Sequence, residues 1–473
     1  MKRALVVSAL SAALLVPATP AIADSLTWTP CEKEAECTTV TVPVDWAKPD
    51  GPTLDLTVAR HRTTEPSKGV MVYGAGGPGG ASAETVKYIE QSTAVGWRRD
   101  YDVIGVNARG MDRRYPITCP DGGGPQNDLP NSPETLAKLN TDHATYAAEC
   151  RRLTGPLYDH LDTASNARDL DAVRAALGLE KISFYGGSYG TLLGQQYAEL
   201  FPQRVQRMVL DSTMDHSLPD AAAFGATEAK GMEERFDQFV DWCDKTESCA
   251  LHGQDVRATV TELQKRTEAG ELKDSSGAPL TSLTLDSMTT SAAFSRDTGA
   301  TALKKLTDTG VAEEKNTRLY VSGGLHSVLC QDWNLQLRDY ADYQEFRKRV
   351  EQAAPMTRFS SYAQHPLSCQ GWPVANTNPP KPFPVKDTVP TLVLNSRYDI
   401  ATVYPWAVNL TAQTGWGLVT YAGSRHVTYS SIPCMREHTD KYLATGELPA
   451  AGTVCAEIQQ QQQETRPVEA SWN

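Results

Sequence analysis

Positive charge is in short supply in this chain. Its 473 residues carry 45 Lys and Arg against 57 Asp and Glu, a formal net charge of −12. So acidic a balance argues against a nucleic-acid partner, whose phosphates call for cations. Long apolar runs are also missing. The stretch from Ala4 to Val16 is too short to span a membrane, and no later segment is long and apolar enough to do so. No internal repeat occurs. No C-x-x-C pair is found among the ten cysteines, and the histidines do not stand in a finger-like spacing from them, which argues against structural zinc. The glycine run Gly74 to Gly80 is not followed by Gly-Lys-Ser or Gly-Lys-Thr, which removes the phosphate-loop reading.

What is present begins at the N-terminus. Met1-Lys2-Arg3, the apolar stretch and Ala21-Ile22-Ala23 form a basic n-region, a short h-region and an A-x-A cleavage signature. The expectation is a signal peptide over 1–23, a mature protein starting at Asp24, and export from the cell. Residues 1–23 contain Lys2 and Arg3 and no acid, so their loss takes the charge from −12 to −14. An even number of cysteines in an exported chain points to disulfides. The remaining length exceeds one ordinary domain, which implies a main domain carrying an insertion. The one low-complexity tract, Gln459 to Gln463, suggests no chemistry.

From about residue 38 to 213, β-type and helix-type runs alternate. Thr38–Val44 and Leu54–Val58 read as an opening hairpin. Gly69–Tyr73, Tyr101–Val106, Lys181–Tyr185 and Val205–Leu210 read as buried parallel strands, and Thr163–Leu177 reads as a helix closed by Gly178. This rhythm predicts an α/β fold with a mostly parallel central sheet. It breaks after Thr213. Residues 214–384 look mainly helical, with helices over Met232–Trp242 and Tyr340–Val350, and end in the proline-rich Pro379–Pro384. The sheet rhythm then resumes over 385–473, with strands at Thr391–Asn395 and Gly417–Tyr421, a helix beginning at Pro405–Leu410, and a last helix at Cys434–Leu443. The expected organisation is therefore a core in two parts, 24–213 and 385–473, with a helical lid over the C-terminal edge of the sheet, where ligands of such folds bind.

One pentapeptide carries most of the functional signal. Gly186-Gly187-Ser188-Tyr189-Gly190 lies between a β-type run and a helix-type run. A Ser in a G-x-S-x-G frame at such a corner reads as a nucleophile elbow, with its hydroxyl exposed and the next backbone N–H free to bind an oxyanion. A serine needs a base, and the base an orienting acid, in the chain order Ser, acid, His. His426 follows a late strand in a turn, and Asp399 ends the segment Leu394–Asp399, so both fall on the edge toward which Ser188 points. Asp211, at the end of Val209-Leu210-Asp211, is the rival acid. Chain order favours Asp399 and assigns Asp211 to a turn cap where the insertion begins. The glycine run after Tyr73 lets backbone amides approach a ligand closely and offers the second oxyanion donor.

Gly76-Gly77-Pro78-Gly79, Gly187-Ser188-Tyr189-Gly190-Thr191, Asp399 and His426 together resemble the prolyl-aminopeptidase family of α/β-hydrolases. Within it, the likeness is to the secreted tripeptidyl aminopeptidases of actinobacteria, including the prolyl tri/tetrapeptidyl type. The likeness extends over nearly the whole mature chain, from Val42–Trp46 through Asp102–Val106 and Arg109-Gly110 to Trp242-Cys243 and Val328–Cys330. It implies Ser188 as nucleophile, Asp399 as acid, His426 as base, and Gly77 and Tyr189 as the oxyanion N–H donors. With the location of each pair in one region, it also implies the disulfides Cys31–Cys37, Cys119–Cys150, Cys243–Cys249, Cys330–Cys369 and Cys434–Cys455. Single-residue proline iminopeptidases carry His before Gly-Gly-Pro-Gly and Trp after the Ser. Here Ala75 and Tyr189 stand there, which favours the oligopeptide-releasing branch.

The implied activity is that of a secreted serine exopeptidase, acting as a monomer on peptides with a free N-terminus and needing neither metal nor organic cofactor. An exopeptidase must recognise the substrate ammonium, and the lid acids Glu233, Glu234 and Asp332 are the candidates for that contact. The first two are expected at the start of a helix. A single-residue proline iminopeptidase and a carboxylesterase or lipase share the triad. A binding module that has lost its triad is the non-enzymatic alternative, marked by a missing Ser, acid or His, and none is missing here.

Overall fold

The computed structural model describes residues 26–89, 96–359, 362–384 and 388–458. The expected signal peptide over 1–23 and the glutamine tract lie outside these residues. Among the described residues, ten strands form one sheet in the order β1-β2-β3-β5-β4-β7-β8-β10-β11-β12. β1 (Thr29–Glu32), β2 (Ala35–Pro43) and β3 (Thr53–His61) make an antiparallel meander, and β3 runs antiparallel to β5 (Asp102–Val106). From β5 onward every pairing is parallel, through β4 (Val70–Gly74), β7 (Ile182–Gly187), β8 (Val205–Asp211), β10 (Leu392–Ser396), β11 (Gly417–Tyr421) and β12 (Val454–Cys455). Every residue of β7 is buried, as expected of a parallel strand covered on both faces. β12 was not expected from the sequence, because two residues are too few to make a pattern. A separate two-stranded ribbon joins β6 (Gln126–Asn127) to β9 (Leu319–Tyr320).

Helices cover both faces of the sheet. α1 (Ser82–Lys87) and α13 (Pro433–Thr445) close one face over Met71, Val103, Tyr185, Val209 and Leu394. α3 (Thr163–Ala176), α4 (Tyr189–Leu200) and α12 (Tyr404–Thr414) close the other over Val72, Ile104, Phe184, Leu210 and Val393. α3 starts where Asp162 caps Ser165 N–H, and ends before Gly178 at φ 68°.

The insertion leaves between the adjacent parallel strands β8 and β10. Its two ends meet, since Lys381 N–H donates to the carbonyl of His216 at 2.9 Å. It holds α5 (Ala221–Lys245), α6 (Val256–Glu268), α7 (Ser282–Phe294), α8 (Arg296–Thr309), α9 (Gly323–Asp332), α10 (Tyr340–Ala353) and α11 (His365–Ser368). The first four share a hydrophobic cluster of their own, around Phe236, Phe239, Leu263, Leu285 and Leu303. The later part is fused to the sheet: Val328, Leu329, Trp333 and Trp372 belong to the same core as β7 and α3.

Two features differ from the sequence reading. α2 (Pro133–Thr154), which the expected boundaries assign to the sheet domain, packs Leu136 and Leu139 against cap residues Tyr343, Phe346 and Leu367, while Tyr146 and Ala147 join the sheet core. The cap thus draws on two stretches of chain. Second, α5 begins at Asp220, whose carboxylate accepts from Ala223 N–H, so Glu233 and Glu234 sit mid-helix and not at its start. The glycines that hide this helix in the sequence are packing contacts. A Cβ on Gly225 would lie 2.7 Å from the Phe346 ring, and one on Gly231 would lie 2.2 Å from a Val403 methyl.

The ten cysteines are joined as Cys31–Cys37, Cys119–Cys150, Cys243–Cys249, Cys330–Cys369 and Cys434–Cys455. No helix among the described residues is long and apolar enough to cross a membrane.

Candidate active site

Ser188 stands alone between β7 and α4 with φ 55° and ψ −125°, a conformation that costs free energy for a residue with a Cβ. The surroundings hold it there. Its N–H donates to Asp211 O at 2.9 Å, and its carbonyl accepts from Thr191 N–H and Oγ1 at 2.9 and 2.6 Å. The flanking glycines are steric necessities. A Cβ on Gly186 would lie 2.3 Å from Gly190 O, and one on Gly190 would lie 2.2 Å from Gly74 O. The elbow and the loop after β4 are therefore in backbone contact. A Cβ on Gly76 would reach within 3.2 Å of Ser188 Cβ, which puts that loop beside the serine. The loop is fixed from behind: Ala75 N–H donates to Ser82 Oγ (3.0 Å), and Ala83 N–H to Asn107 Oδ1 (2.9 Å). Gly77 has φ 119°, open only to glycine.

Asp399 and His426 meet. Nδ1 of His426 lies 3.0 Å from both Asp399 oxygens. Asp399 is 1% exposed, and its carboxylate also accepts from Ala401 N–H, Thr402 N–H and Thr402 Oγ1 at 2.9 to 3.1 Å. Burial alone would push this carboxyl up, but the His426 charge and these donors hold it below its usual range. Burial likewise pulls His426 down. The Asp399 charge and hydrogen bond outweigh that and raise the imidazole above its ordinary value. Because Nδ1 faces the carboxylate, Nε2 is left as the atom able to take a proton.

Asp211 does not cap a turn where the insertion begins, contrary to the sequence reading. Fully buried, it accepts from Thr428 N–H, Thr428 Oγ1, Tyr429 N–H and Tyr185 Oη at 2.8 to 3.0 Å. It fixes the loop that follows His426. Ser212 adds a bond from Val427 N–H to its Oγ at 2.8 Å, and Ser396 Oγ donates to Arg425 O. That loop runs against the elbow, since a Cβ on Gly187 would lie 3.5 Å from the Val427 methyls. Ser212 and Thr402 do not stand out in the sequence. Their only signal is position, directly after Asp211 and three residues after Asp399.

The three acids considered for the substrate amine end up in different places. Glu233 accepts from the backbone N–H groups of Met356 and Thr357 and from Thr357 Oγ1 at 3.0 to 3.3 Å, and burial raises its carboxyl. Asp332 is fully buried at the end of α9, bonded to Thr163 and Asn378. Glu234 retains exposure and forms an ion pair of 2.7 Å with Arg397, two residues before Asp399. Gly231, one turn earlier on α5, packs against Val403, and a Cβ on it would lie 3.9 Å from Asp399 O. Of the three, Glu234 is the one next to the loop that carries Asp399.

Among the described residues, Cys434, His438 and Cys455 bring ligand atoms within 4.8 Å of one another. His438 stands four residues after Cys434, a spacing to which the sequence reading gives no weight. Both sulfurs are already spent in the disulfide between them, so the group lacks the thiolates a zinc site needs.

Residues 354–455 match a protein family described as TAP-like protein. The chain is 31% identical over 463 residues to a tripeptidyl aminopeptidase of Streptomyces lividans, covering 90% of this chain and 84% of that one. It is 27% identical over 483 residues to the serine protease Hip1 of Mycobacterium tuberculosis, covering 93% and 92%. A carboxylesterase B of the same organism is also 27% identical, over 93% of this chain and 92% of its own. Among solved structures, a proline iminopeptidase-related protein of Thermus thermophilus overlays with a TM-score of 0.35 at 14% identity, covering 86% of this chain and 96% of that one. With the Streptomyces likeness at 31% identity covering 90% of its length, this chain belongs to the tripeptidyl aminopeptidase family and is a serine peptidase on the α/β-hydrolase fold.

Proposed function

We propose that the protein is an exported exopeptidase that releases tri- or tetrapeptides from free N-termini through an acyl-enzyme on Ser188. The observation that carries this reading is the His426–Asp399 pair, held at 3.0 Å on the loops beside a strained serine elbow. In this reading Nε2 of His426 takes the Ser188 proton as Oγ attacks the peptide carbonyl, and Asp399 stabilises the imidazolium. The oxyanion is held by the N–H groups of Gly77 and Tyr189. His426 then gives its proton to the leaving amine, and water, deprotonated by the same ring, releases the acyl group. Five disulfides and the A-x-A signature support export.

Among the three cap acids, Glu234 is the one we assign to the substrate ammonium, with Arg397 as its partner in the free enzyme. Glu233 and Asp332 already spend their oxygens on protein donors. A named carboxylesterase among the relatives makes ester hydrolysis the second reading.

The test is digestion of peptides with free and acetylated N-termini, with products read by mass spectrometry, beside a p-nitrophenyl ester assay. Acetylation is expected to cut kcat/KM by more than about tenfold, since truncating one member of a desolvated charge pair typically costs about 2–5 kcal/mol. Equal cleavage of blocked and free peptides would remove the aminopeptidase reading. Cleavage of the ester alone would establish the esterase.

A further inference from the structure

The residue after the candidate nucleophile has a side chain with its own connections. Tyr189 opens α4, and its ring is buried. Its hydroxyl lies 2.6 Å from Thr163 Oγ1, at the first turn of α3. Thr163 Oγ1 in turn donates to Asp332 Oδ2 at 2.6 Å, while Thr163 N–H donates to Asp332 Oδ1 at 2.9 Å. Asp332 Oδ1 also accepts from Asn378 Nδ2 at 2.8 Å, on the return stretch of the insertion. Burial pushes the Asp332 carboxyl up to about 7, so the direction holds for its ionised form: Thr163 then spends its hydroxyl proton on Asp332, and Tyr189 Oη donates to Thr163. Asp162 lies close enough to act on the charge of both Asp332 and Tyr189.

The same junction has a second tie. His216, at the start of the insertion, places Nε2 2.7 Å from Asp332 O and 3.1 Å from Asn378 O, and Gln196 Nε2 of α4 lies 3.3 Å from its Nδ1. Both ends of the cap, the end of α9 and the helix behind the elbow therefore meet at one buried polar cluster.

We propose that Asp332 is a positioning residue, which acts through Thr163 and the Tyr189 ring to set the direction of the Tyr189 backbone N–H as an oxyanion donor. This rests on the assignment of Ser188 and Tyr189 above. The physical argument is leverage. A tyrosine ring is rigid, so a side chain fixed at its hydroxyl restrains the Cα and the peptide N–H at its other end. That peptide follows Ser188 at φ 55°, a conformation from which the backbone relaxes once a restraint is released. Oxyanion donors act by preorganisation, and displacements of about 1 Å in a catalytic site cost about a hundredfold. Docking of the cap is thereby coupled to the catalytic geometry, although neither Asp332 nor Asn378 need touch the substrate.

Tyr189→Phe removes one hydroxyl and keeps the ring. The expected result is a kcat lower by about ten- to a hundredfold with KM within about twofold. Affinity for a peptide aldehyde, whose adduct with Ser188 presents an oxyanion, should fall in step with kcat/KM. Asp332→Ala should lower kcat similarly, and the double variant should lose little beyond either single change, because both break one chain. Thr163→Ser, which keeps the hydroxyl, should retain activity. If Asp332→Ala does not fold, Tyr189→Phe and Thr163→Ser carry the test. A Tyr189→Phe enzyme with kcat within about twofold of the parent, or losses that multiply in the double variant, would overturn the proposal. Failure of the underlying assignment looks different: Ser188→Ala would itself remain active.

Discussion

At the edge of the sheet, Asp399 and Asp211 turn their oxygens toward the loop of His426. In the cap, Glu233 and Asp332 are also buried, but turn theirs toward the cap's own backbone and its junction with the core. The chemistry of burial is the same in both places, since a buried carboxylate needs several donors. What differs is who supplies the donors. Around Asp399 one of them is an imidazole able to exchange a proton; around Glu233 they are two amides and a hydroxyl, with the Arg257 guanidinium 3.8 Å away, and none of these can. Burial and charge thus do not separate the proposed catalytic acid from the structural ones in this protein. The identity of the partner does.

The largest expected effect breaks the pair that defines the catalytic side. Asp399→Asn should lower kcat by about four orders of magnitude, as loss of the orienting carboxylate does in serine triads. The pH profile sharpens the point. In the proposed mechanism activity needs the neutral ring of His426, whose pKa is raised in the fold, so kcat/KM should be full above that value and fall as pH drops through it. Asp399→Asn removes most of what raises the value, leaving Asp211, and leaves the burial that lowers it, so residual activity should have its acid limb at lower pH. Stopped-flow or progress-curve assays across pH would check both, and an unmoved limb would count against His426 as the base.

Asp211→Ala comes next, and its expected effect is on stability first. It strands the N–H groups of Thr428 and Tyr429 and the Tyr185 hydroxyl in a buried site, at about 1–3 kcal/mol for each group left unpaired. Thermal unfolding should show a clear drop in Tm, and folded protein should have reduced kcat, because the loop carrying His426 is released. Smallest is Glu233→Gln. Its amide still accepts through one oxygen, so a loss of about 1–3 kcal/mol by denaturant titration is expected, with kcat/KM for free peptides within a few-fold. A large KM increase with unchanged stability would instead move the ammonium contact from Glu234 to Glu233, and with it redraw the division between the two regions.

The catalytic edge is far more legible in the sequence than the cap, and particular residues show why. Gly186 is demanded by Gly190 O four residues on, while Gly190 is demanded by Gly74 O on the neighbouring strand, but both fall in one short G-x-S-x-G frame between a strand and a helix, so the elbow prints a recognisable pattern. Asp399 and His426 each follow a strand whose apolar run is visible, and chain order does the rest. α5 reads short because Gly225 and Gly231 look like breaks. They are glycines because Phe346 and Val403, more than a hundred residues away, leave no room for a side chain. α2 falls within the sheet domain by sequence position, and only tertiary packing shows that its first turns belong to the cap.

By itself, then, the sequence determined the alternation of strands and helices, the serine corner and the order in which acid and histidine follow it. Each of these depends on backbone geometry set by near neighbours or on the two-residue and 3.6-residue periods of single elements. Only the tertiary structure decided which acid serves which partner. Asp211 reaches Thr428 across 217 residues, Glu233 reaches Thr357 across 124, and Asp332 reaches Thr163 across 169. A carboxylate carries the same charge and hydrogen-bonding capacity wherever it stands, so its role is fixed by the donors that folding brings to it.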